Sequence, residues 1–548
     1  MNQLKPLVLA VGIAMAGGSV HADEQQELLK LKNTTMNLIQ ILVDQGIMSQ
    51  EKADELIQQA EAKAERQVQQ AERDAATPKS KVVRVPYVPE FVKEDIRNDV
   101  REELRAQVVD DVMAQAKTER WGVPEALPEW ISRIKVKGDL RLRAEGDEFA
   151  SGNAPNLIDF QKYNEGDSQP FLNTTEDRQR LRERARIDID AKITNTLKAG
   201  LRVSTGNFDD PVSTNQTLGN YSNRYTITLD RAYLKYDDYN LDGYKWLTLT
   251  GGRMANPFFS TDLVYDRDLG FEGLAAAYRH NLIGSDNLWE QDEQTHTLFA
   301  TLGMFSLQEV ELSSQDKWLL GGQVGIDWQT SNQSTLTLAT SYYGYVNIDG
   351  RQNPVGTTEY DYTAPEYVQG GNTMFPLDQG AGFNSRLAGL AGYYKLLNAT
   401  ARWDYAGFAP THVTLTGDYV ENIGWDRDEI RHRTNGQVFT ELGSLTNEIR
   451  NDTTGYQIQL AVGWPQLRKA RDWQVFGAWK HLESDAVLDA FTDSDFHLGG
   501  TNAEGWVLGG SYGLADYTWL TGRWISADEI EGAPYGVDVI QLDLNAKF

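Results

Sequence analysis

From Ile134 onward, apolar and polar residues alternate with a period of two over segments of roughly 8 to 13 residues. Short turns and long polar stretches separate these segments alternately, which predicts a transmembrane β-barrel, whose strands show lipid only every second residue. The first segment puts Ile134, Val136, Leu140 and Leu142 on one face and Lys135, Lys137, Asp139, Arg141 and Arg143 on the other. A soluble sandwich would have to bury that charged face in a dry core, at prohibitive cost. The next pair is a hairpin: Ala185, Ile187, Ile189 and Ala191 alternate with charged residues, a tight turn falls near Asn195-Thr196, and Ala199, Leu201 and Val203 follow. Further strands are expected near residues 224–236, 244–254, 271–280, 296–306, 317–330, 334–347, 398–406, 412–422, 453–464, 472–484, 504–513, 517–527 and 537–548. The sum is about 16 antiparallel strands, and Gly380 to Leu397 leaves 18 open. An even count returns both barrel ends to one side, with short turns in the periplasm and long stretches outside.

The first 133 residues follow another pattern. Lys5 precedes an apolar run from Leu7 to Ala16, small residues, and Val20-His21-Ala22 before acidic Asp23. This predicts a secretory signal peptide, residues 1–22. Leu28, Leu31, Thr35, Leu38, Ile41 and Leu42 share a helical face, Gly46 stops that helix, and Ala53, Leu56, Ile57, Ala60 and Ala64 continue a stripe. Residues 23–75 therefore read as a helical hairpin. Pro78, Pro86 and Pro89 make 76–92 an extended linker. Ile96, Val100, Leu104, Val108 and Val112 predict a helix within the segment 93–133, whose remainder connects to the barrel at 134–548. So narrow a seam suits either a coiled coil joining subunits or a periplasmic hairpin lying on its own chain.

Composition agrees with this division. All but four of the 14 Trp, 24 Tyr and 18 Phe lie beyond residue 133, as do all but five of the 48 Gly. The 548 residues carry 52 Lys and Arg against 79 Asp and Glu, a net charge of −27. That balance speaks against nucleic acid, whose binding rests on neutralised phosphates. With no cysteine, zinc ribbons, disulfides and thiol nucleophiles are excluded. The seven histidines show no metal spacing, and no serine elbow, phosphate-cradling loop or His-Glu-x-x-His helix is present. No enzyme activity and no cofactor are expected.

Arg178, Arg180, Arg182, Arg184 and Arg186 alternate along one strand and its outer extension and so point to one side. Arg141, Arg143, Arg202, Arg231, Lys235 and Arg253 are assigned to polar-face positions of neighbouring strands. An arginine facing lipid costs roughly 2–4 kcal/mol at midplane depth, so these residues are expected to line the lumen. A barrel this wide leaves an aqueous channel.

The last strand carries the most specific signal. Ile540, Leu542, Leu544, Ala546 and terminal Phe548 alternate with Gln541, Asp543, Asn545 and Lys547. A final amphipathic strand ending in Phe resembles the signal by which Gram-negative outer-membrane barrels are recognised for insertion, and Leu542, Leu544 and Phe548 are its expected elements. With Gly138-Asp-Leu-Arg-Leu-Arg143 and Arg231-Ala-Tyr-Leu-Lys-Tyr236, the chain is similar to bacterial porins, particularly the putative-porin family, over about three quarters of its length. The resemblance implies outer-membrane location, lipid and lipopolysaccharide contact, the barrel-assembly machinery as partner, and a homotrimer. It also implies that the third outer loop, Met254 to Gly270, folds inward as a constriction. Asp262, Asp266 and Asp268, beside Arg267, would then face the arginines across an eyelet and set up a transverse field, or simply pair with them to hold the loop down. The expected function is passive diffusion of small hydrophilic solutes or ions. The alternatives are a channel plugged until a specific solute arrives, or a structural anchor whose helices, about 37 Å for 25 residues, tether a periplasmic partner.

Overall fold

The computed structural model describes residues 133–548, apart from 209, 242, 284–295 and 312. The expected signal peptide, helical hairpin, linker and third helix fall in 1–132, outside the described residues.

Sixteen long strands form the barrel: β1 Ile134–Phe149, β2 Arg178–Lys192, β3 Leu197–Ser204, β4 Thr228–Tyr239, β5 Lys245–Ala255, β6 Gly270–Ile283, β7 His296–Gln308 and β8 Lys317–Ser331. They continue as β9 Ser334–Val346, β10 Lys395–Phe408, β11 Thr411–Asn422, β12 Thr454–Gly463, β13 Trp473–Leu482, β14 Ala503–Ala515, β15 Thr518–Glu529 and β16 Gly536–Lys547. Each pairs antiparallel with its successor, and β16 returns to β1 in a register running from Asp139↔Lys547 to Phe149↔Val537. Closure removes every edge, so the backbone groups of the sheet are paired without water. The count is therefore 16 and not 18. Within Gly380 to Leu397, Ala388–Leu390 pairs only with Met374–Pro376 inside a loop, and the chain enters β10 at Lys395.

The period of two decides which side each residue faces. Val136, Leu181, Leu302, Val324 and Ile458 point outward, each more than half exposed. Such a surface belongs in lipid rather than water. No helix among the described residues is long and apolar enough to cross a membrane. Connections 193–196, 240–244, 332–333, 409–410, 464–472 and 516–517 close one end, where β1 also begins and β16 stops. At the other end lie the long loops: loop 1 (150–177), loop 2 (205–227), loop 3 (256–269), loop 5 (347–394), loop 6 (423–453) and loop 7 (483–502), with loops 4 (309–316) and 8 (530–535) short.

The buried apolar residues lie inside the barrel and among its loops. Phe258, Leu263, Val264, Tyr265 and Leu269 of loop 3 cluster with inward-facing Met254, Phe271, Phe305, Leu319 and Tyr343. A second cluster, Phe375, Leu377, Ala391, Ile430 and Val438, ties loop 5 to loop 6. Full burial of each large side chain contributes about 1.5–3 kcal/mol, enough to order loops that charge alone would leave in water.

Candidate eyelet of the barrel

Loop 3 enters the lumen because one wall is built to receive it. The Phe258 ring stands edge-to-face on Phe271, Phe305 and Tyr343, at centroid distances of 6.3, 6.1 and 5.1 Å. Gly303 and Gly321 face it from β7 and β8, and a Cβ at Gly321 would collide with the ring. Gln323 then clamps the loop backbone: its Oε1 accepts from Phe259 N and its Nε2 donates to Phe259 O, both at 2.8 Å. Farther along, Thr261 N donates to Asp418 of β11 at 3.3 Å, and Asp266 N donates to Phe491 O of loop 7 at 2.8 Å. Loop 3 thus spans from the wall of β5 to β9 to the far side of the lumen.

The arginines of β2 alternate on the inner face, and most are paired. Arg178 sits exposed at the loop end. Arg180 meets Glu145 at 2.5 Å and Asp147 at 3.0 Å, and Arg182 meets Glu145 at 3.4 Å. Arg184 and Arg186 each hold Asp139 at 2.9 Å, and they reach Asp268 of loop 3 at 3.8 and 2.9 Å. On β1, Arg141 hydrogen-bonds Asn215, while Arg143 is fully buried between Asp543 at 2.7 Å and Asp495 at 2.8 Å. Arg202 pairs with Asp188 at 2.7 Å and with Asp230 at 3.6 Å, and Arg231 lies 3.7 Å from Asp230. Lys235 faces inward two residues before buried Asp237.

Arg253 is a correction to the sequence assignment. It shares the parity of Leu249, and its register partner Glu272 shares the outward face of Leu274, whereas neighbouring Met254 is the buried, inward residue. Arg253 forms an ion pair with Glu272 on the outer surface, and its Nε donates to Asp230 O at 2.7 Å. Near the end of β5, parity rather than polarity sets the side of the sheet, and it places Arg253 outside.

The three acids of loop 3 separate as well. Only Asp268 faces the arginines of β2, and Thr214 Oγ1 adds a hydrogen bond to it at 2.9 Å. Burial would raise the Asp268 carboxyl, but Arg184 and Arg186 outweigh it and hold it below the usual range. Asp262 instead pairs with Lys480 of β13 at 3.1 Å. There too burial is outweighed, by Lys480 and then Arg267, and the carboxyl lies well below its ordinary value. Asp266 accepts from Ser494 N at 3.1 Å and from Asp268 N at 2.7 Å, so it pins loop 3 to loop 7. Burial, then Asp493 and Asp268, push its carboxyl well above the usual range. Arg267 is the open cation of the loop, with an 80% exposed side chain and only Asp262 at 4.0 Å.

Sequence reasoning passed over the opposite wall. Lys480 is buried between Asp262 and Asp493, the latter at 2.6 Å, and Arg523 reaches Asp495 at 3.2 Å. Inward parity on β13 and β15 marks Lys480 and Arg523. Asp493 and Asp495 belong to loop 7, whose entry into the lumen no periodicity announces. Between the walls lies a cavity of about 590 Å³ lined by eight basic side chains, Arg141, Arg184, Arg186, Arg202, Arg231, Arg267, Lys480 and Arg523. Six acidic ones join them: Asp262, Asp266, Asp268, Asp493, Asp495 and Asp543. Among the described residues no group of three or more His, Asp or Glu is placed to hold a metal ion. At the other end of the barrel, Leu542 and Leu544 point outward, and Phe548 N and O pair with Gly138 at 3.0 and 2.9 Å.

Sixteen strands enclose more space than side chains can fill, and an outward apolar belt around such a lumen defines a diffusion channel of the outer-membrane barrel class. Within that class the chain belongs to the Putative porin family, whose profile matches residues 32–548. No curated protein matches the chain. Solved structures are similar to the chain at low identity. OprB of Pseudomonas putida is 11% identical, over 76% of this chain and 94% of that one, with a TM-score of 0.41. The outer-membrane channel DcaP of Acinetobacter baumannii is 10% identical over 76% and 97%, with a TM-score of 0.38. An anion-selective porin from Comamonas acidovorans is 11% identical over 76% and 99%, with a TM-score of 0.36.

Proposed function

We propose that this protein is a water-filled outer-membrane porin through which small hydrophilic solutes diffuse passively, with an eyelet that favours anions. The carrying observation is the 590 Å³ cavity between loop 3 and the arginine wall, where eight basic side chains outnumber six acidic ones and burial raises the Asp266 carboxyl. Guanidinium groups already paired with carboxylates still offer free N–H donors to a passing anion, so structural pairing and filtering coexist here. The acidic loops act oppositely. Residues beyond 133 carry a net charge of −22, and that acid enriches cations at the mouth over a Debye length of about 10 Å at 0.1 M salt.

The proposal includes a homotrimer with short turns in the periplasm, insertion signalled by Leu542, Leu544 and Phe548, and lipopolysaccharide around the outer belt. Its support is the family and the outward register of the last strand.

The test is single-channel conductance and reversal potential in planar bilayers. A steady ohmic conductance is expected, with anion preference at 1 M salt that weakens on dilution as the loop acids lose their screening. Arg267→Glu reverses the one open cation of loop 3 and is expected to move the reversal potential toward cation preference. Folded protein without conductance would overturn the open channel and favour a plugged one.

A further inference from the structure

Two cavities lie back to back across single segments of chain. Ala490 and Phe491 of loop 7 and Pro211 of loop 2 line a second cavity, of about 460 Å³, while Asp493, Ser494 and Val212, one to three residues on, line the eyelet. Its size is that of a small-molecule site. Its chemistry is divided. Lys317, 5% exposed at the start of β8, opens onto it. Its ammonium donates to Ala364 O at 2.6 Å, and Glu366 and Asp349 act on it only through space. An ammonium has three donors, and burying one with a single hydrogen-bonding partner leaves two donors for an anionic group, even with Glu366 and Asp349 acting on it through space. Glu366 and Glu165 line the same cavity and are exposed. Each has one oxygen engaged, by Gln308 Nε2 at 2.5 Å and by Gln161 Nε2 at 2.8 Å, so that each keeps accepting capacity. Leu307, Ile348 and Phe491 supply an apolar surface.

We propose that this cavity is a docking site for a zwitterionic solute with an apolar body, of the class of free apolar or aromatic α-amino acids. The solute carboxylate meets Lys317, its ammonium meets Glu366 with Glu165 beside it, and its side chain lies on Phe491 and Leu307. A simple anion of the same shape would meet two glutamates, and a simple amine would meet the buried lysine, so both are disfavoured. As a waiting position before the eyelet, the site rests on the diffusion-channel reading above. As a binding site it stands without it.

The experiment is isothermal titration calorimetry on the detergent-folded full-length protein with L-phenylalanine, phenylacetate and phenethylamine, alongside bilayer conductance of the same preparation in KCl alone. L-phenylalanine is expected to bind, with each singly charged analogue roughly tenfold weaker or more. Glu366→Gln, an exposed change that spares folding, and Lys317→Met are each expected to weaken L-phenylalanine by about tenfold. Phenylacetate should lose its residual binding with the lysine variant, and phenethylamine with the glutamate variant. Equal binding of all three probes, no binding, or an unchanged affinity in Glu366→Gln would overturn the proposal. Conductance without binding removes the site and leaves the channel; binding without conductance does the reverse.

Discussion

Arg143 shows what one side chain does in a lumen that has no dry core. It is completely buried and answers three carboxylates, Asp543 at 2.7 Å, Asp495 at 2.8 Å and Glu145 at 3.4 Å, thereby joining β1, β16 and loop 7. Removing it leaves Asp543, Asp495 and Glu145 to their other partners, Arg523, Arg141, Arg180 and Arg182, and breaking a buried pair costs up to about 3–5 kcal/mol. Arg143→Met is therefore expected to lower the urea midpoint of unfolding in micelles substantially. Lys137→Met removes a pair with Asp190 that is 49% and 41% exposed, and should change stability by no more than about 1 kcal/mol. Equal effects of the two substitutions would contradict the assignment of Arg143 as the centre of this network. Parity along β1 already puts both residues inside. Their burial is decided by loop 7, 350 residues away in sequence, which covers one and not the other.

At the scale of elements, strands were legible and inward loops were not. Period-two alternation located β1 to β16 to within a few residues at most ends, because lipid outside and water inside press on successive residues oppositely. Loop 3 betrayed itself by apolar content, Phe258 to Val264, and its inward course was expected only through resemblance to porins. Loop 7 also carries apolar residues, Val487, Leu488 and Phe491, but its course is set by pairs with bases and backbone groups of distant elements, which no periodicity announces. Its clasp on loop 5 is one example: Asp489 accepts from Gly370 N at 2.7 Å and Gln369 N at 3.1 Å. Burial pushes the Asp489 carboxyl up to about 7 from an ordinary 3.8. A group whose folded value is raised contributes stability that is complete below the unfolded value and is lost as pH rises through the folded one. The junction of loops 5 and 7 should thus exchange amide hydrogens faster, and be cut more readily by protease, at pH 8 than at pH 5. Nearby Asp485, also raised by burial, acts in the same direction. Asp489→Asn should flatten the dependence; an undiminished slope in that variant would assign it elsewhere.

The barrel closes on itself within residues 134–547, through the β1 and β16 register. Insertion and conduction should consequently need nothing upstream. Deletion of residues 23–118 is expected to leave a barrel that still shows the heat-dependent gel shift of folded outer-membrane proteins and still conducts. Loss of conductance with the barrel intact would give the N-terminal segment a part in the open channel, whereas retained conductance with a weakened envelope would support the tether as an additional role. The net charge of −27 was plain from composition, yet it does not describe the eyelet, where bases outnumber acids. Charge averaged over a chain says little about a passage lined by some thirty of its side chains.

The sequence by itself determined the barrel class, the strand pattern and the side of the sheet taken by nearly every charged residue, because these follow from local alternation and composition, and its resemblance at residues 138–143, 231–236 and the last strand pointed to the family. Arg253 shows the limit of even that information, since near a strand end a charged residue can remain on the outer face beside Glu272. Only the tertiary structure decided that there are 16 strands, that Asp262 meets Lys480 and not the arginines of β2, and that Asp266 serves loop 7. Those pairings join residues up to several hundred positions apart. They are chosen by which loops fit inside a closed cylinder and by which buried charges must be satisfied there, conditions that exist only once the barrel has formed.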